Sequence, residues 1–359
     1  MRRKADRPTL DTVFVFGAGA SHDASKALDP FAAHTAPLDK HFCGRIKSHA
    51  TSSTCPAWVK ETAELILASW RDAKPFENCG LEEAVLLQAA HLNFLNAIQP
   101  RRLPVLRWHA RLKLSSESEF VYHLAHIVAY ILRQCREKPS RPFGKVADKF
   151  FRGTRPSRVK NRVITFNYDI LFDRHLLSKF HERDVYFEDI GYGSGVGRDD
   201  PLLLKLHGSA NWFIFENEYD EVFSRKPLSE KAYDIGHVGL ITGMSPATDH
   251  ERCPLIIPPI PDKPITRISL FTSLWARALE YLEGAKKIVI CGYSLPETDI
   301  MARTLFKSVR NSGVTDISIV DSDGATLGRW RGLLDRKVNR QVRWHYFASF
   351  SEYVEQECR

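Results

Sequence analysis

The sequence VFVFGAGAS, residues 13–21, is the stretch that decides the fold of this chain. Its first four residues are apolar, with β-branched and aromatic side chains, which is typical of a buried strand. Gly17 and Gly19 follow, and glycine lets a backbone turn sharply and lets a ligand approach it closely. A strand that leads through such a turn into a helix can present free backbone N–H groups to a phosphate. The alternative is an ordinary tight strand-to-helix turn, and the nonamer alone does not separate the two.

The usual dinucleotide-binding fingerprint, G-x-G-x-x-G, is incomplete in this chain. His22 occupies the position of the third glycine. That fingerprint also places an acidic residue about twenty residues later, at the end of a second strand, and none follows here. These departures argue against a dehydrogenase that transfers hydride to or from a nicotinamide cofactor.

Length and composition are those of an ordinary globular protein. The chain has 359 residues, of which 43% are hydrophobic and 26% charged, so it can bury a large core and hold two domains. No apolar run is long enough for a membrane span, and the basic N-terminus lacks the apolar segment of a secretory signal. The seven cysteines are scattered without a C-x-x-C pair, which argues against a disulfide scaffold or a zinc ribbon. We therefore expect a cytoplasmic protein without a metal site.

The net charge is +8, and basic residues cluster in two segments, 141–162 and 329–343. Patches of this kind can bind the phosphate backbone of a nucleic acid. Neither segment carries a nucleic-acid-binding motif, so a solvated face or a contact with an acidic partner subunit is the favoured interpretation. Binding of nucleic acid would depend on net charge alone.

Residues 22–40 are polar and small, and they form a loop long enough to fold over a ligand. From about residue 41 to 150 the pattern becomes helical, because apolar residues recur at three- and four-residue spacing. The two clearest stripes are Leu81, Val85, Ala89, Leu92 and Leu95, and Phe120, Leu124, Ile127 and Ile131. We expect a helical insertion over 41–150 within an α/β domain made of 1–40 and 151–359.

Strands and helices alternate after residue 160. The apolar segments that predict strands are 162–166, 201–212, 255–257, 287–291, 316–320 and 341–347. This alternation predicts parallel βαβ units, and the expected fold class is α/β, with a doubly wound, mostly parallel, Rossmann-like sheet and an inserted helical domain. Such sheets bind ligands beyond the carboxyl ends of their strands, near the topological switch point.

Four short motifs stand at these strand ends. They are GAGAS at 17–21, TFNYD at 165–169, LHGS at 206–209 and CGYSLPETD at 291–299. Each motif alone is weak, since HGS is a common polar turn and NYD can cap a helix. The ordered set, however, resembles the sirtuin-like superfamily, including its bacterial branch of NAD-consuming defence effectors without the zinc ribbon. The resemblance covers residues 12–40 and 160–325 and leaves out the helical insertion.

The resemblance implies that NAD is bound as the substrate. The catalytic residues that it implies are Asn167, His207 and Asp169. The NAD-binding residues that it implies are Gly17, Ala18, Gly19, Ala20, Ser21, Thr165, Gly208, Ser209, Gly292, Ser294 and Asp321. In the family a loop with Asp and Phe near its middle covers the cofactor, and Asp29 and Phe31 are the counterparts here, at a different spacing.

These residue types suit cleavage of the bond between nicotinamide and ribose, which passes through an oxocarbenium-like state. Asn167 can orient a water or a ribose hydroxyl, and His207 titrates near neutral pH and can take a proton from either. Asp169 can hold the carboxamide or stabilise the developing positive charge. The chain departs from the family in two ways: Phe166 replaces the usual glutamine, and the zinc-ribbon cysteines of the deacylases are missing.

The leading hypothesis is therefore an NAD glycohydrolase that serves antiviral defence in bacteria by depleting NAD. An NAD-dependent protein deacylase or ADP-ribosyltransferase is a second possibility, and the missing zinc module argues against the deacylase. A non-catalytic sensor of NAD or ADP-ribose is a third, which the intact Asn167 and His207 disfavour. Cys291 ends an apolar strand and is expected to be a buried hydrophobic residue rather than a nucleophile. Expected partners are further copies of the chain or a separate sensor protein, with no membrane.

Overall fold

The computed structural model describes residues 9–25, 34–53, 55–70, 80–81, 83, 85, 117–153, 155–186, 201–215, 218, 238–240, 252–257, 265, 268–297, 299–311, 313–335, 338 and 341–359. Outside them lie Asp29, Phe31, the Ala89–Leu92–Leu95 part of the first helical stripe, and the glycine-rich segment 191–197, which is predicted to be a loop. None of the helices in the described residues is both long and apolar enough to cross a membrane.

The described elements alternate between strands and helices. In chain order the strands are β1 (Leu10–Phe16), β2 (Asn161–Thr165), β3 (Leu203–Lys205), β4 (Gly208–Phe215), β5 (Gly239–Leu240), β6 (Arg252–Ile256), β7 (Ala285–Cys291), β8 (Asp316–Val320) and β9 (Arg343–Phe347). The helices are α1 (Ala18–Ser25), α2 (Asp39–Thr51), α3 (Ala57–Trp70), α4 (Glu117–Arg133), α5 (Pro142–Phe150), α6 (Leu171–Leu177), α7 (Glu182–Val185), α8 (Ser269–Gly284), α9 (Ile300–Ser308), α10 (Ala325–Leu334) and α11 (Phe350–Glu357).

The central sheet has six parallel strands in the order β3-β2-β1-β7-β8-β9 and is flanked by helices, which confirms the predicted α/β, Rossmann-like fold class. Phe16 pairs with Thr165 on one side and with Cys291 on the other. Thr165 pairs in turn with Lys205 of β3, and Cys291 pairs with Val320 of β8. The carboxyl ends of five strands therefore form one edge, where the predicted motifs meet.

A second sheet of three antiparallel strands, β5-β4-β6, was not predicted. The segment 201–212 is predicted to hold one strand that ends at 207–209. It contains two strands instead, because β3 ends at Lys205 and β4 begins at Gly208. Gly208 has φ +82°, which permits this sharp change of direction. The strand predicted at 255–257 forms as β6, but it pairs with β4 and not with the parallel sheet.

The β1 sequence lacks alternation because both of its faces are buried. Phe14 packs edge-on against Phe150 of α5, and Phe16 packs against Phe143 of the same helix, with ring centroids 4.9 Å and 5.2 Å apart. Val13 and Val15 point to the opposite face and are fully buried as well. A parallel strand covered on both sides produces this continuous apolar run. Helix α5, which prediction included in the insertion, thus packs on the central sheet.

Most of the other described residues between 41 and 150 belong to the helices α2, α3 and α4, as their pattern predicts. Leu124, Ile127 and Ile131 of α4 are at most 1% exposed. Helix α4 packs against α3 and against β4 and β6 of the second sheet. The Arg133 guanidinium at its end donates through Nε to the Ala210 carbonyl at 2.6 Å. Helix α4 therefore packs on the small sheet, and α2 and α3 pack against α4.

We predict that Gly292→Ala strongly destabilises the fold. Gly292 has φ +58°, and a Cβ there would lie 2.0 Å from the Ala20 backbone nitrogen. The free energy of unfolding, measured by urea denaturation, should fall by about 3 kcal/mol or more. The matched control is Gly332→Ala on α10, where a Cβ meets nothing within 4 Å and stability should rise by up to about 1 kcal/mol. A Gly292→Ala protein as stable as wild type would contradict this account.

Candidate active site at the carboxyl edge of the parallel sheet

A cavity of about 560 Å³ lies beyond the ends of β1, β2, β3, β7 and β8. The chain places β2 on one side of β1 and β7 on the other, so β1 borders the topological switch point. Open α/β sheets bind ligands at this place, because the loops diverge there and leave a crevice. The cavity is therefore the candidate active site.

Two glycine turns, one after β1 and one after β7, are joined by backbone hydrogen bonds at the floor of this edge. The Gly17 N–H donates to the Cys291 carbonyl and the Gly19 N–H donates to the Gly292 carbonyl, both at 2.9 Å. The Ala20 N–H donates to the Gly17 carbonyl at 3.0 Å. The expectation of free N–H groups is thus wrong for these three residues, because each N–H already donates to a carbonyl oxygen of the two turns or of the end of β7.

Only glycine fits where the two turns cross. A Cβ on Gly17 would lie 2.5 Å from the Gly292 carbonyl oxygen, and a Cβ on Gly19 would lie 2.8 Å from the Gly292 Cα. Backbone packing therefore requires the G-A-G spacing whether or not a phosphate binds beside it. Ala18 and Ser21 are the residues of this stretch, besides Gly19, that line the cavity.

Asn167 reaches from the end of β2 to the first turn of α1. Its Nδ2 donates to the Gly17 carbonyl and to the Ser21 Oγ, both at 2.9 Å. Its backbone N–H donates to Thr165 Oγ1 at 3.1 Å. Both hydrogens on Nδ2 are used, so Oδ1 is the atom that Asn167 offers to a ligand. Thr165 supports Asn167 from behind and does not line the cavity.

His22, which stands in the third glycine position, helps to build a wall of the cavity. Its Nδ1 lies 2.9 Å from the Ala36 carbonyl oxygen, and the Ala36 N–H donates to Ser25 Oγ at 2.7 Å. These bonds hold the segment before α2 against α1. The wall residues are Ala36, Pro37, Leu38, Asp39, Lys40 and Phe42. Part of the predicted covering loop is thus an ordered wall.

Asp169 lines the cavity and also has a structural role. Its Oδ1 accepts the Leu171 N–H at 3.0 Å, the first N–H of α6, although the N-cap position itself is Ile170. Burial raises the pKa of the Asp169 carboxyl above its ordinary value, although the Lys205 charge and a hydrogen bond from Ser21 act to lower it. This carboxyl therefore gives up its proton less readily than an exposed aspartate does.

The ring of His207, at the end of β3, is enclosed by aromatic side chains. Its centroid lies 5.5 Å from that of Phe166 and 5.9 Å from that of Trp275. The Trp275 Nε1 donates to the Leu206 carbonyl at 3.0 Å, which fixes the backbone next to the histidine. Phe166 stacks on Tyr293 at 4.2 Å and 7°. Phe166 thus builds an apolar wall beside His207.

A buried ion pair holds the start of α6. Lys205 is fully buried, and its Nζ lies 3.0 Å and 3.2 Å from the two carboxylate oxygens of Asp173. The same ammonium donates to the Asp169 carbonyl. The Tyr186 hydroxyl donates to Asp173 at 2.6 Å. Lys205 therefore anchors both the backbone of Asp169 and the helix that follows it.

The structure brings most of the predicted site residues to the cavity. Those that line it are Ala18, Gly19, Ser21, Asn167, Asp169, His207, Gly292, Ser294 and Asp321. Those that do not line it are Gly17, Ala20, Thr165, Gly208 and Ser209. Ser209 is buried and donates to Asn211, and Gly208 packs on the Leu255 carbonyl, so both shape the turn from β3 into β4.

Asp321 follows β8 and is only half-buried. Burial raises the pKa of its carboxyl above the ordinary value, although its Oδ1 accepts the Asp323 N–H at 2.9 Å, which acts in the opposite direction. Its own N–H donates to the Phe347 carbonyl at 3.0 Å. Asp321 thus presents a carboxyl group to the cavity from a fixed backbone.

Sequence reasoning missed Tyr168, Tyr293 and Asp299, which also line the cavity. Tyr293 and Asp299 belong to the CGYSLPETD motif, in which the resemblance implies roles only for Gly292 and Ser294. Asp299 is the N-cap of α9 and accepts the Ala302 N–H at 3.4 Å. The sequence signal that could have identified Asp299 is an acidic residue directly before a helix, in the segment that follows a strand's carboxyl end.

Cys291 is unsuited to nucleophilic attack. It is fully buried at the end of β7, and burial raises the pKa of its thiol well above the ordinary value. A reactive cysteine needs the thiolate, which this environment disfavours. Among the residues that the structure describes, no group of three or more His, Cys, Asp or Glu side chains has an arrangement that could hold a metal ion.

Comparison with known proteins found no family model and no curated protein that matches this chain. Any function must therefore be argued from the residues and from the geometry of the cavity.

We predict that Lys205→Met destabilises the protein, because it leaves the Asp173 carboxylate buried without its partner. The free energy of unfolding in urea should fall by about 3–5 kcal/mol. Lys286→Met is the matched control, since Lys286 pairs with Asp11 on the exposed surface and its loss should cost less than about 1 kcal/mol. Equal effects of the two variants would show that the buried pair does not hold this region.

Proposed function

We propose that this protein is an NAD glycohydrolase of the sirtuin-like type, which cleaves NAD to nicotinamide and ADP-ribose and serves antiviral defence by depleting NAD. The observation that carries the proposal is the convergence of Asn167, Asp169 and His207 on one cavity. They come from the ends of two adjacent parallel strands, β2 and β3. Together they offer an amide oxygen, a carboxyl group and an imidazole, the groups that cleavage of a glycosidic bond uses.

The size and polarity of the cavity support a nucleotide as its ligand. Its volume of about 560 Å³ falls within the range of about 300–1,000 Å³ that is usual for small-molecule sites. Helix α1 begins at the cavity with Ala18, so its positive end favours an anionic group such as a diphosphate. Asp321 offers a carboxyl group of the kind that binds ribose hydroxyls in nucleotide-binding sheets.

The proposed reaction breaks the bond from C1′ of the ribose to the nicotinamide nitrogen. The electron pair of that bond leaves with nicotinamide, and positive charge develops on the ribose. Water then bonds to C1′ and gives up a proton. We assign orientation of the water to Asn167 Oδ1, removal of its proton to His207, and stabilisation of the positive charge to Asp169. One water is consumed, and nicotinamide, ADP-ribose and a proton are formed.

We predict that the purified protein releases nicotinamide from NAD without any peptide acceptor, as read by product chromatography. Asn167→Ala and His207→Ala should each lower the turnover about 100-fold or more, because each removes a group that acts on the water. Asn167→Ala also removes two hydrogen bonds at the strand ends, so circular dichroism and urea denaturation must show that each variant keeps its fold.

The control for these variants is His181→Ala, which removes an exposed histidine outside the cavity and should leave turnover unchanged. Nicotinamide release that occurs only after addition of an acyl-lysine peptide would show a deacylase and contradict the hydrolase proposal. Normal turnover in His207→Ala would exclude this histidine as the base and direct attention to Asp169. Binding of NAD without any turnover would support the sensor.

We further propose that the helices of residues 41–150 control the activity, since an NAD hydrolase without control would drain the cell that makes it. Leu81 and Leu132 of this region line the cavity, and so does the segment that leads into α2. A shift of these helices would change the cavity walls directly. The exposed Arg152, Arg155 and Arg158 offer a basic contact surface for another subunit or a sensor protein.

We predict that NAD turnover rises with assembly of the protein. Turnover measured across gel-filtration fractions should follow oligomer size, and the charge reversals Arg152→Glu, Arg155→Glu and Arg158→Glu should lower both. Reversal at Arg343, which pairs with Asp316 outside this surface, is the control for charge alone. Full activity in a strictly monomeric protein without a partner would overturn this proposal.

A further inference from the structure

Asp299 faces His207 across the cavity. The Asp299 Oδ2 lies 3.9 Å from the His207 Nε2, and the two side chains are only 7% and 6% exposed. This distance is within the range of an ion pair and somewhat longer than a hydrogen bond. Catalytic hydrogen bonds are often long in proteins without their substrate and shorten when it binds. A buried carboxylate at this distance acts on the imidazole with little screening by water.

The Asp299 carboxylate is held in place by other groups. The Tyr293 hydroxyl donates to Oδ2 at 2.9 Å, the oxygen that faces His207. The other oxygen, Oδ1, accepts the Ala302 N–H at the start of α9. The Asp299 N–H donates to the Pro296 carbonyl at 3.2 Å, which fixes the backbone as well. The carboxylate therefore cannot turn away from the histidine without losing hydrogen bonds.

The surroundings of the pair are mostly aromatic. Phe166, Trp275 and Tyr168 have ring centroids between 5.5 Å and 6.2 Å from that of His207. Among the residues that the structure describes, the titratable groups near His207 are Asp299 and Tyr293 from the segment after β7 and Tyr168 from the segment after β2. The other titratable residues that line the same cavity are Asp39, Lys40, Asp169 and Asp321. Among the described residues, Asp299 is the only carboxylate within 4.0 Å of the His207 ring nitrogens.

We infer that Asp299 is a positioning residue for His207: it orients the imidazole and stabilises the imidazolium that forms when His207 takes a proton from water. This inference rests on the proposed function. A carboxylate behind a histidine has this effect in other enzymes, where it sets the ring orientation and balances the charge without taking the proton itself. Tyr293 in turn orients Asp299.

The alternative is that Asp299 serves only as the N-cap of α9. Asparagine is an equally good N-cap, so Asp299→Asn can keep the cap through its amide oxygen. The variant removes the negative charge and replaces the oxygen that accepts the Tyr293 hydroxyl by an amide nitrogen. A purely structural role therefore predicts no change in the pH dependence of catalysis in this variant.

The test compares the pH profile of kcat/KM for wild type and Asp299→Asn. His207 must be unprotonated to act as a base, and the Asp299 charge favours its protonated form. Loss of that charge should move the acid limb of the profile to lower pH by about one unit or more. The plateau kcat should fall about 10- to 100-fold, with little change in KM. Asp11→Asn, which removes an exposed charge at the amino end of β1, should leave the profile unmoved.

Two further measurements keep the inference separate from the proposed function. The double variant His207→Ala/Asp299→Asn should be no slower than His207→Ala, because Asp299 acts through His207; additive losses would overturn the inference.

Titration of the His207 ring protons by NMR, without NAD, should give a lower midpoint in Asp299→Asn than in wild type. An unchanged midpoint would overturn the inference even if NAD is cleaved. A lowered midpoint in a protein that does not cleave NAD would keep the coupling and reject only the hydrolase.

Discussion

The crossing of two glycine turns is the constraint on which this site depends. The turn after β1 and the turn after β7 touch backbone to backbone, and the Gly19 N–H donates to the Gly292 carbonyl at 2.9 Å. Asn167 adds the third strand to this junction, because its amide donates to the Gly17 carbonyl. The ends of β2, β1 and β7 are thereby fixed relative to one another, and the cavity opens directly beyond them. No side chain larger than hydrogen fits at the crossing, so the glycines serve the architecture before they serve any ligand.

Around this junction the protein buries several charged groups, and each has a partner that offsets its desolvation. Lys205 pairs with Asp173, and Asp169 accepts a backbone N–H at the start of α6. Asp299 accepts the Tyr293 hydroxyl and lies near His207. A buried charge without a partner costs several kcal/mol, on the order of the whole stability of many domains. The partners therefore allow carboxyl groups to stand in an apolar, aromatic cavity, where their effect on a bound cation is strongest.

The sequence predicted those parts of the fold that local pattern determines. Asp316–Val320 forms the predicted strand with the predicted ends, because its β-branched residues Ile317, Ile319 and Val320 favour an extended backbone and are buried in the parallel sheet. The second sheet was not predicted, because the β4 sequence shows no alternation of apolar and polar residues that would indicate an antiparallel strand. Seven of its eight residues are buried. Because Asn167 and His207 each follow a predicted parallel strand, the sequence predicted that both lie at the carboxyl edge of the sheet. The proximity of Asp299 to His207 could not be predicted, because the two residues lie on loops that are distant in sequence.

The pairing of β1 also determines when the site can exist during synthesis of the chain. β1 lies between β2 and β7, so Phe16 is bonded to neighbours near residues 165 and 291. Contacts of such long sequence separation form late in folding. The chain must lose the conformational entropy of a large loop before the contact that closes the loop can stabilise it. A nascent chain that has emerged only through His207 contains Asn167, Asp169 and His207 and lacks β7, the strand that completes the cavity floor. Assembly of this edge is thus delayed until nearly the whole sheet has been made, so the cavity exists only in an almost complete chain.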